Sequence, residues 1–148
     1  MNKLLIIFLV MIVGSLVAWQ GAINAQLGKM LSHPLQAAFI SFLGGTLALA
    51  AALMLMQVGF PSFQVIKGVP PYLMIGGLLG AIFVTSVILF VPKIGVANVL
   101  IAAVAGQLIL SLIIDNYGLL GVPKQHISVS RIAGTLLVIA GLYLVNQK

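Results

Sequence analysis

Long apolar runs separated by short polar breaks dominate this 148-residue chain. Five runs stand out, at about 4–25, 34–57, 71–91, 96–117 and 128–146. A helix needs roughly 20 apolar residues to cross about 30 Å of hydrocarbon, and the runs approach that length. They are continuous, without the period-two alternation of a membrane barrel strand. A helix also satisfies its backbone groups within one segment, as hydrocarbon requires. The pattern predicts an all-α integral membrane protein with five transmembrane helices in one domain, 1–148. The fifth run is the weakest. Its purely apolar part, 132–145, is short and reaches full length only by counting 128–131 at the interface.

The breaks carry helix-start and helix-stop residues. His33-Pro34 and Pro70-Pro71 place proline where a helix begins, because its missing N–H costs nothing in a first turn. Pro92-Lys93-Ile94-Gly95 reads as a short stop and restart. The longest polar stretch, 118–126, contains Gly121 and Pro123. Lys3 and the small residues near Ala25 fit a secretory leader loosely. The run is long, however, and carries packing residues, so it is read as a span.

Composition agrees with the pattern. Hydrophobic residues make up 62% of the chain and charged residues 5%. A water-soluble domain carries about 25% charged residues, so most of this surface must face lipid. The net charge of +6 comes from basic residues placed singly between apolar runs. They read as interfacial anchors and topology signals, not as a nucleic-acid surface. The chain has no cysteine, which excludes disulfides and thiolate metal sites. No metal-ligand grouping, phosphate loop, nucleophile–base set or carboxylate pair occurs, so neither an enzyme nor a cofactor is expected.

Helices in lipid associate through close packing and polar contacts. Gly14, Gly21 and Gly28 repeat every seven residues in the first run, with Ala18 and Ala25 between them. The third run has Gly76 and Gly80, and the fourth Ala102 and Gly106. The second has Gly44, Ala48 and Ala52, and the last Gly134 and Gly141. Gly14, Gly21, Gly76, Gly80 and Gly106 are the leading packing positions.

Loop charges bear on orientation. Alternating loops put Lys3, Lys67, Lys124 and Arg131 on one side and Lys29, Lys93 and Lys148 on the other, a difference of one. The positive-inside rule needs an asymmetry to fix a topology. The chain is either oriented by another feature or inserted both ways. Oppositely inserted five-helix copies would resemble the halves of a ten-helix inverted-repeat transporter.

Intramembrane polar residues are the leading candidates for a solute pathway. Gln20 and Asn24 lie one turn apart on one face of the first helix, as do Ser15 and Trp19. Ser41, Thr46, Thr85 and Ser86 are further hydroxyls within the spans. In the fourth run Gln107, Ser111 and Asp115 form one stripe, and Asn98 faces nearly the other way. Gln107 reads either as a ligand-binding amide or as a bond joining two helices, because a bare amide at that depth is costly. Trp19, Gln20, Asn24, Gln107 and Ser111 form the candidate substrate-binding set. Asp115 is the only acid and sits in a last helical turn, where the macrodipole disfavours it. It reads as a structural ion pair with Arg131 or as a proton-coupling carboxylate. His33 and His126 fall in connecting loops.

Several short stretches follow one another in a characteristic order and at characteristic spacing: 20–27 (Gln20-Gly21-Ala22-Ile23-Asn24 and onward), Gly76-Gly77-Leu78-Leu79-Gly80-Ala81 and Pro92-Lys93-Ile94-Gly95. Ala105-Gly106-Gln107-Leu108, Asp115, Gly118 and Arg131-Ile132-Ala133-Gly134 follow. Over essentially the whole chain this resembles the YdcZ-type family of the drug/metabolite transporter superfamily. The resemblance implies a bacterial inner-membrane exporter of five-helix subunits with dual topology, paired as an antiparallel homodimer and working by alternating access. The superfamily's four-helix members carry a buried Glu in their first helix; this chain has no Glu at all. An amide-and-hydroxyl site suits a neutral or zwitterionic solute better than a cation. A passive channel and a non-transporting accessory membrane subunit are the alternatives.

Overall fold

A computed structural model describes residues 2–147. Lys148, counted above among the loop charges, lies outside the described residues. The elements are α1 (Lys3–Met30), α2 (Pro34–Leu55), α3 (Phe63–Gly68), α4 (Gly76–Ile94), α5 (Val96–Tyr117) and α6 (Val129–Asn146). Single 3₁₀ turns, Pro71–Met74 and Leu119–Gly121, precede α4 and follow α5. Four helical segments are long and apolar enough to cross a membrane: Lys3–Met30, Pro34–Leu55, Pro71–Ile94 and Val96–Tyr117. Val129–Val145 is apolar but shorter, in keeping with the short fifth run.

Side chains cap most of these helices. Asn2, Ser62 and Ser128 accept the N–H groups of Leu4, Val65 and Arg131, satisfying donors that have no partner inside the helix. His33, expected to be a loop residue, caps α2. Its Nδ1 accepts the Leu35 N–H at 3.2 Å, with Pro34 at the first helical position.

Two boundaries and one element depart from the expected ones. The first helix runs on to Met30, because Gln26, Leu27, Gly28 and Lys29 offer no break before Ser32-His33-Pro34. Pro92 lies inside α4. There it removes only one late N–H, and the helix ends instead before Gly95. That glycine has φ 85° and ψ 160°, a region essentially closed to other residues. The segment between the second and third runs holds a short helix, α3, that the apolar pattern did not reveal.

The chain divides into two compact units, residues up to Lys93 and residues from Ile94 on. In the first unit, α1 and α2 join through three residues and run back antiparallel. Gly28 lies beside Ala37 and Pro34, and one turn along, Asn24 meets Ser41. The buried core is small: Ala37, Ala38 and Ile88, flanked by Leu27, Leu31 and Val84. Alanine and glycine let the helices approach closely, which supplies the packing that lipid does not. α4 enters through Val87 and Ile88, whose side chains lie over Gly21 and Gly28. Phe42 of α2 covers Gly80 of α4.

The second unit pairs α5 with α6. Gly118, in the left-handed conformation, ends α5 and returns its N–H to Ile114 and Asp115 carbonyls. The 118–128 connection then folds back on the helix end. Gln125 N–H donates to the Asp115 carbonyl at 2.8 Å, and Ile127 N–H donates to Asn116 Oδ1 at 3.2 Å.

Small-residue seams close within one chain only at some positions. A Cβ built on Gly21, Gly28 or Gly80 meets a neighbouring side chain, whereas one on Gly14, Gly76 or Gly106 meets nothing within 4 Å. These last three point away from the contacts the described residues make. Most large apolar side chains are exposed, from Leu4 and Val10 to Leu137 and Tyr143. Lipid tolerates that exterior; water would not.

Candidate functional site

The α1–α2 register creates a cleft. Four residues back from Asn24 stands Gln20, and four residues on from Ser41 stands Gly45. Where the hairpin has a Gly instead of a larger side chain, space opens. The cleft measures about 240 Å³ and is lined by Gln20 of α1, by Ser41, Phe42, Gly45, Thr46 and Leu49 of α2, and by Val84 of α4. Positions 41–49 straddle the middle of α2.

Its polar groups have definite hydrogen-bonding states. Asn24 is 5% exposed, and its Nδ2 donates to Ser41 Oγ at 3.1 Å. An interhelical bond of this kind contributes about 0.6–2 kcal/mol in a membrane. Thr46 donates to the Phe42 carbonyl at 2.8 Å, the usual helix back-bond of a membrane hydroxyl, so its oxygen is left as an acceptor. Gln20 is exposed and has no hydrogen-bond partner among the described residues, so its full amide is available. No ionisable group lines the cleft. Phe42, Leu49 and Val84 supply apolar walls.

Of the residues singled out from sequence, the structure places Gln20 in the cleft and Asn24 buried behind it on Ser41, and it adds Ser41 and Thr46, which had been minor candidates. Phe42, Gly45, Leu49 and Val84 were missed. The antiparallel register, readable once a three-residue turn joins two helices, is the signal that leads to Gly45. Trp19 is 71% exposed and does not line the cleft. In the second unit, Gln107 is exposed and has no bonded partner among the described residues. Ser111 back-bonds to the Leu108 carbonyl at 2.9 Å. Asn98 donates to the Ile94 carbonyl at 2.8 Å, and its Oδ1 is buried without a partner among the described residues.

Asp115 and Arg131 form a salt bridge through Oδ2 and Nη2. Arg131 Nη1 also donates to the Gln125 carbonyl at 3.3 Å. One guanidinium therefore ties the end of α5, the returning loop and the start of α6 together, using its planar fork of donors. The pair is partly exposed, at 30% and 28%. A wider groove of about 660 Å³ follows the α1–α2 turn past Met30, Leu35, Gln36 and Phe39. Among the described residues, no group of three or more His, Cys, Asp or Glu could hold a metal ion.

An all-helical chain with an apolar exterior and four helices of membrane-crossing length is a membrane protein. Residues 5–144 match the family described as "Putative inner membrane exporter, YdcZ", and the chain belongs to that family. No curated protein and no solved structure matches it.

Proposed function

We propose that this protein is a secondary exporter of a small uncharged or zwitterionic solute, working in the inner membrane as a homodimer of oppositely inserted copies. The cleft carries the reading. A chain this apolar keeps a free amide and two hydroxyls between α1 and α2, where hydrocarbon alone would favour closure. A polar, charge-free cleft of this kind suits a passing solute. Membership of an exporter family supports transport as the purpose.

Two observations support the dimer. The loop charges differ by one between the two sides, so the positive-inside rule orients the chain weakly. Gly14, Gly76 and Gly106 have open space where a neighbour would pack, and a second copy would fill it. α6 acts as the fifth span in this reading, its short apolar part extended by 128–131 at the interface. Two copies then form a ten-helix inverted-repeat bundle of the drug/metabolite transporter type, which rocks about its glycine seams to expose the solute alternately.

The test is a C-terminal reporter read from both sides of the membrane, combined with solute exchange in vesicles. Roughly equal signals on the two sides and counter-flow of solute are expected. A single orientation removes the self-paired inverted dimer. Conduction insensitive to a counter-gradient makes the protein a passive channel instead.

A further inference from the structure

Membrane-embedded hydroxyls in this chain mostly turn back on their own helix. Ser15, Thr46, Ser86, Ser111 and Thr135 each donate to a carbonyl three or four residues earlier. Ser41 does not. Its oxygen accepts from Asn24 on the facing helix, and its own proton is given to no acceptor among the described residues. The Asn24 side that makes this bond is buried, while Ser41 borders the cleft. A hydroxyl whose oxygen is occupied by a donor has its proton left to offer.

We infer that Ser41 is a dedicated hydrogen-bond donor to the solute, and that Asn24 is the positioning residue that keeps it so. The cleft then selects a small uncharged molecule carrying an acceptor oxygen, such as a ketone, amide or ester carbonyl, beside an apolar or aromatic group. The acceptor meets Ser41 and the Gln20 amide; the apolar part lies against Phe42, Leu49 and Val84. A cation finds no carboxylate here, and an anion finds no basic group. This assignment rests on the cleft being the solute site of the exporter reading.

The probes are 4-fluoroacetophenone and 1-ethyl-4-fluorobenzene, which differ by the carbonyl oxygen. Saturable binding to purified full-length protein in nanodiscs is followed by fluorine NMR, with empty nanodiscs subtracted. The bound ketone's carbonyl stretch is followed by infrared spectroscopy. The wild type is expected to prefer the ketone and to lower its carbonyl frequency. Ser41→Ala is expected to lose about three- to tenfold of that preference, the worth of one neutral hydrogen bond, along with the frequency shift. Ser41→Thr restores both, and Ser15→Ala, away from the cleft, changes neither. Asn24→Ala removes the bond that holds the Ser41 rotamer and reduces the preference without removing the hydroxyl. Gly45→Leu fills the cleft and abolishes binding; a Cβ there meets nothing within 4 Å, and thermal unfolding of the variant checks that its fold is retained.

Equal binding of the two probes, or a preference unchanged in Ser41→Ala, overturns the donor assignment. Absence of saturable binding to the wild type overturns the site. Because the measurement is an equilibrium one, it separates from transport. Ketone preference without solute flux upholds the site and removes the exporter reading. Flux without ketone preference does the reverse.

Discussion

Gly28 of α1 lies directly beneath Ile88 of α4: a Cβ on Gly28 would fall 2.7 Å from Ile88 Cγ2. Ile88 is 2% exposed and belongs to the small core with Ala37 and Ala38. Its β-branched side chain has little rotamer freedom with which to yield. Gly28→Ala is therefore expected to destabilise the first unit by about 1–3 kcal/mol, the usual cost of overpacking. Thermal unfolding of the purified protein checks this.

Gly14 provides the contrast. Nothing stands within 4 Å of a Cβ at this position, so Gly14→Ala should not destabilise the single chain, alanine being the better helix former. Under the dimer reading, Gly14→Leu should instead weaken self-association. Cross-linking in native membranes separates the two effects; wild-type levels of dimer in Gly14→Leu would take this seam out of the interface.

Arg131 fastens the α5–α6 connection through two partners at once, the Asp115 carboxylate and the Gln125 carbonyl. Arg131→Ala should cost about 1.5–3 kcal/mol, as expected for hydrogen bonds to charged groups, and should free the 118–128 loop to proteolysis. Asp115→Asn keeps the shape and removes the charge. A structural role predicts weaker stability with an unchanged pH profile of transport. Loss of the pH dependence in Asp115→Asn would make Asp115 a coupling carboxylate instead.

Loop charge offers a direct handle on topology. Adding two lysines to the 118–126 stretch raises the imbalance between the two sides from one to three. The positive-inside rule then predicts insertion in predominantly one orientation. If the inverted dimer is the working form, transport should fall with the minority orientation. Coexpression with a variant carrying the extra lysines on the opposite side should restore it.

His33 replaces the usual Ser, Thr, Asp or Asn at the α2 start. His33→Ala leaves the Leu35 N–H without its side-chain acceptor and should cost roughly 0.5–1 kcal/mol, while His33→Asn should retain most of the stability. Chemical denaturation of the two variants makes the comparison.

Much of this molecule is legible in one dimension, and the illegible part has a consistent cause. Proline, glycine and the absence of charge mark where apolar helices begin and end, because those properties act locally. α3 was not legible, since six residues carry too little periodicity. The extension of α1 to Met30 was not legible either, since it turns on the absence of a helix stop among five residues that alone favour nothing strongly.

The candidate site divides in the same way. Gln20 and Asn24 are conspicuous in sequence because polar side chains in an apolar helix are costly. Which of them faces a cleft and which is buried as a helix clasp depends on the facing residue. Ser41 opposite Asn24, and Gly45 near Gln20, decide that. Trp19 looks equally promising along the chain, yet one position's rotation around α1 leaves it on the exposed face.

Sequence by itself determined that this is an all-helical membrane protein, that four of its five apolar runs are long and apolar enough to cross, and which family it belongs to. Those properties follow from the solvation of each segment and from residue order, and need no partner. Only the tertiary structure decided which glycines are crowded, which hydroxyl is held by a neighbouring amide, and where a cleft opens. Each of these is set by the register and rotation of one helix against another. In lipid, where close packing and interhelical bonds replace the hydrophobic drive, that register is fixed by contacts between residues far apart in the chain.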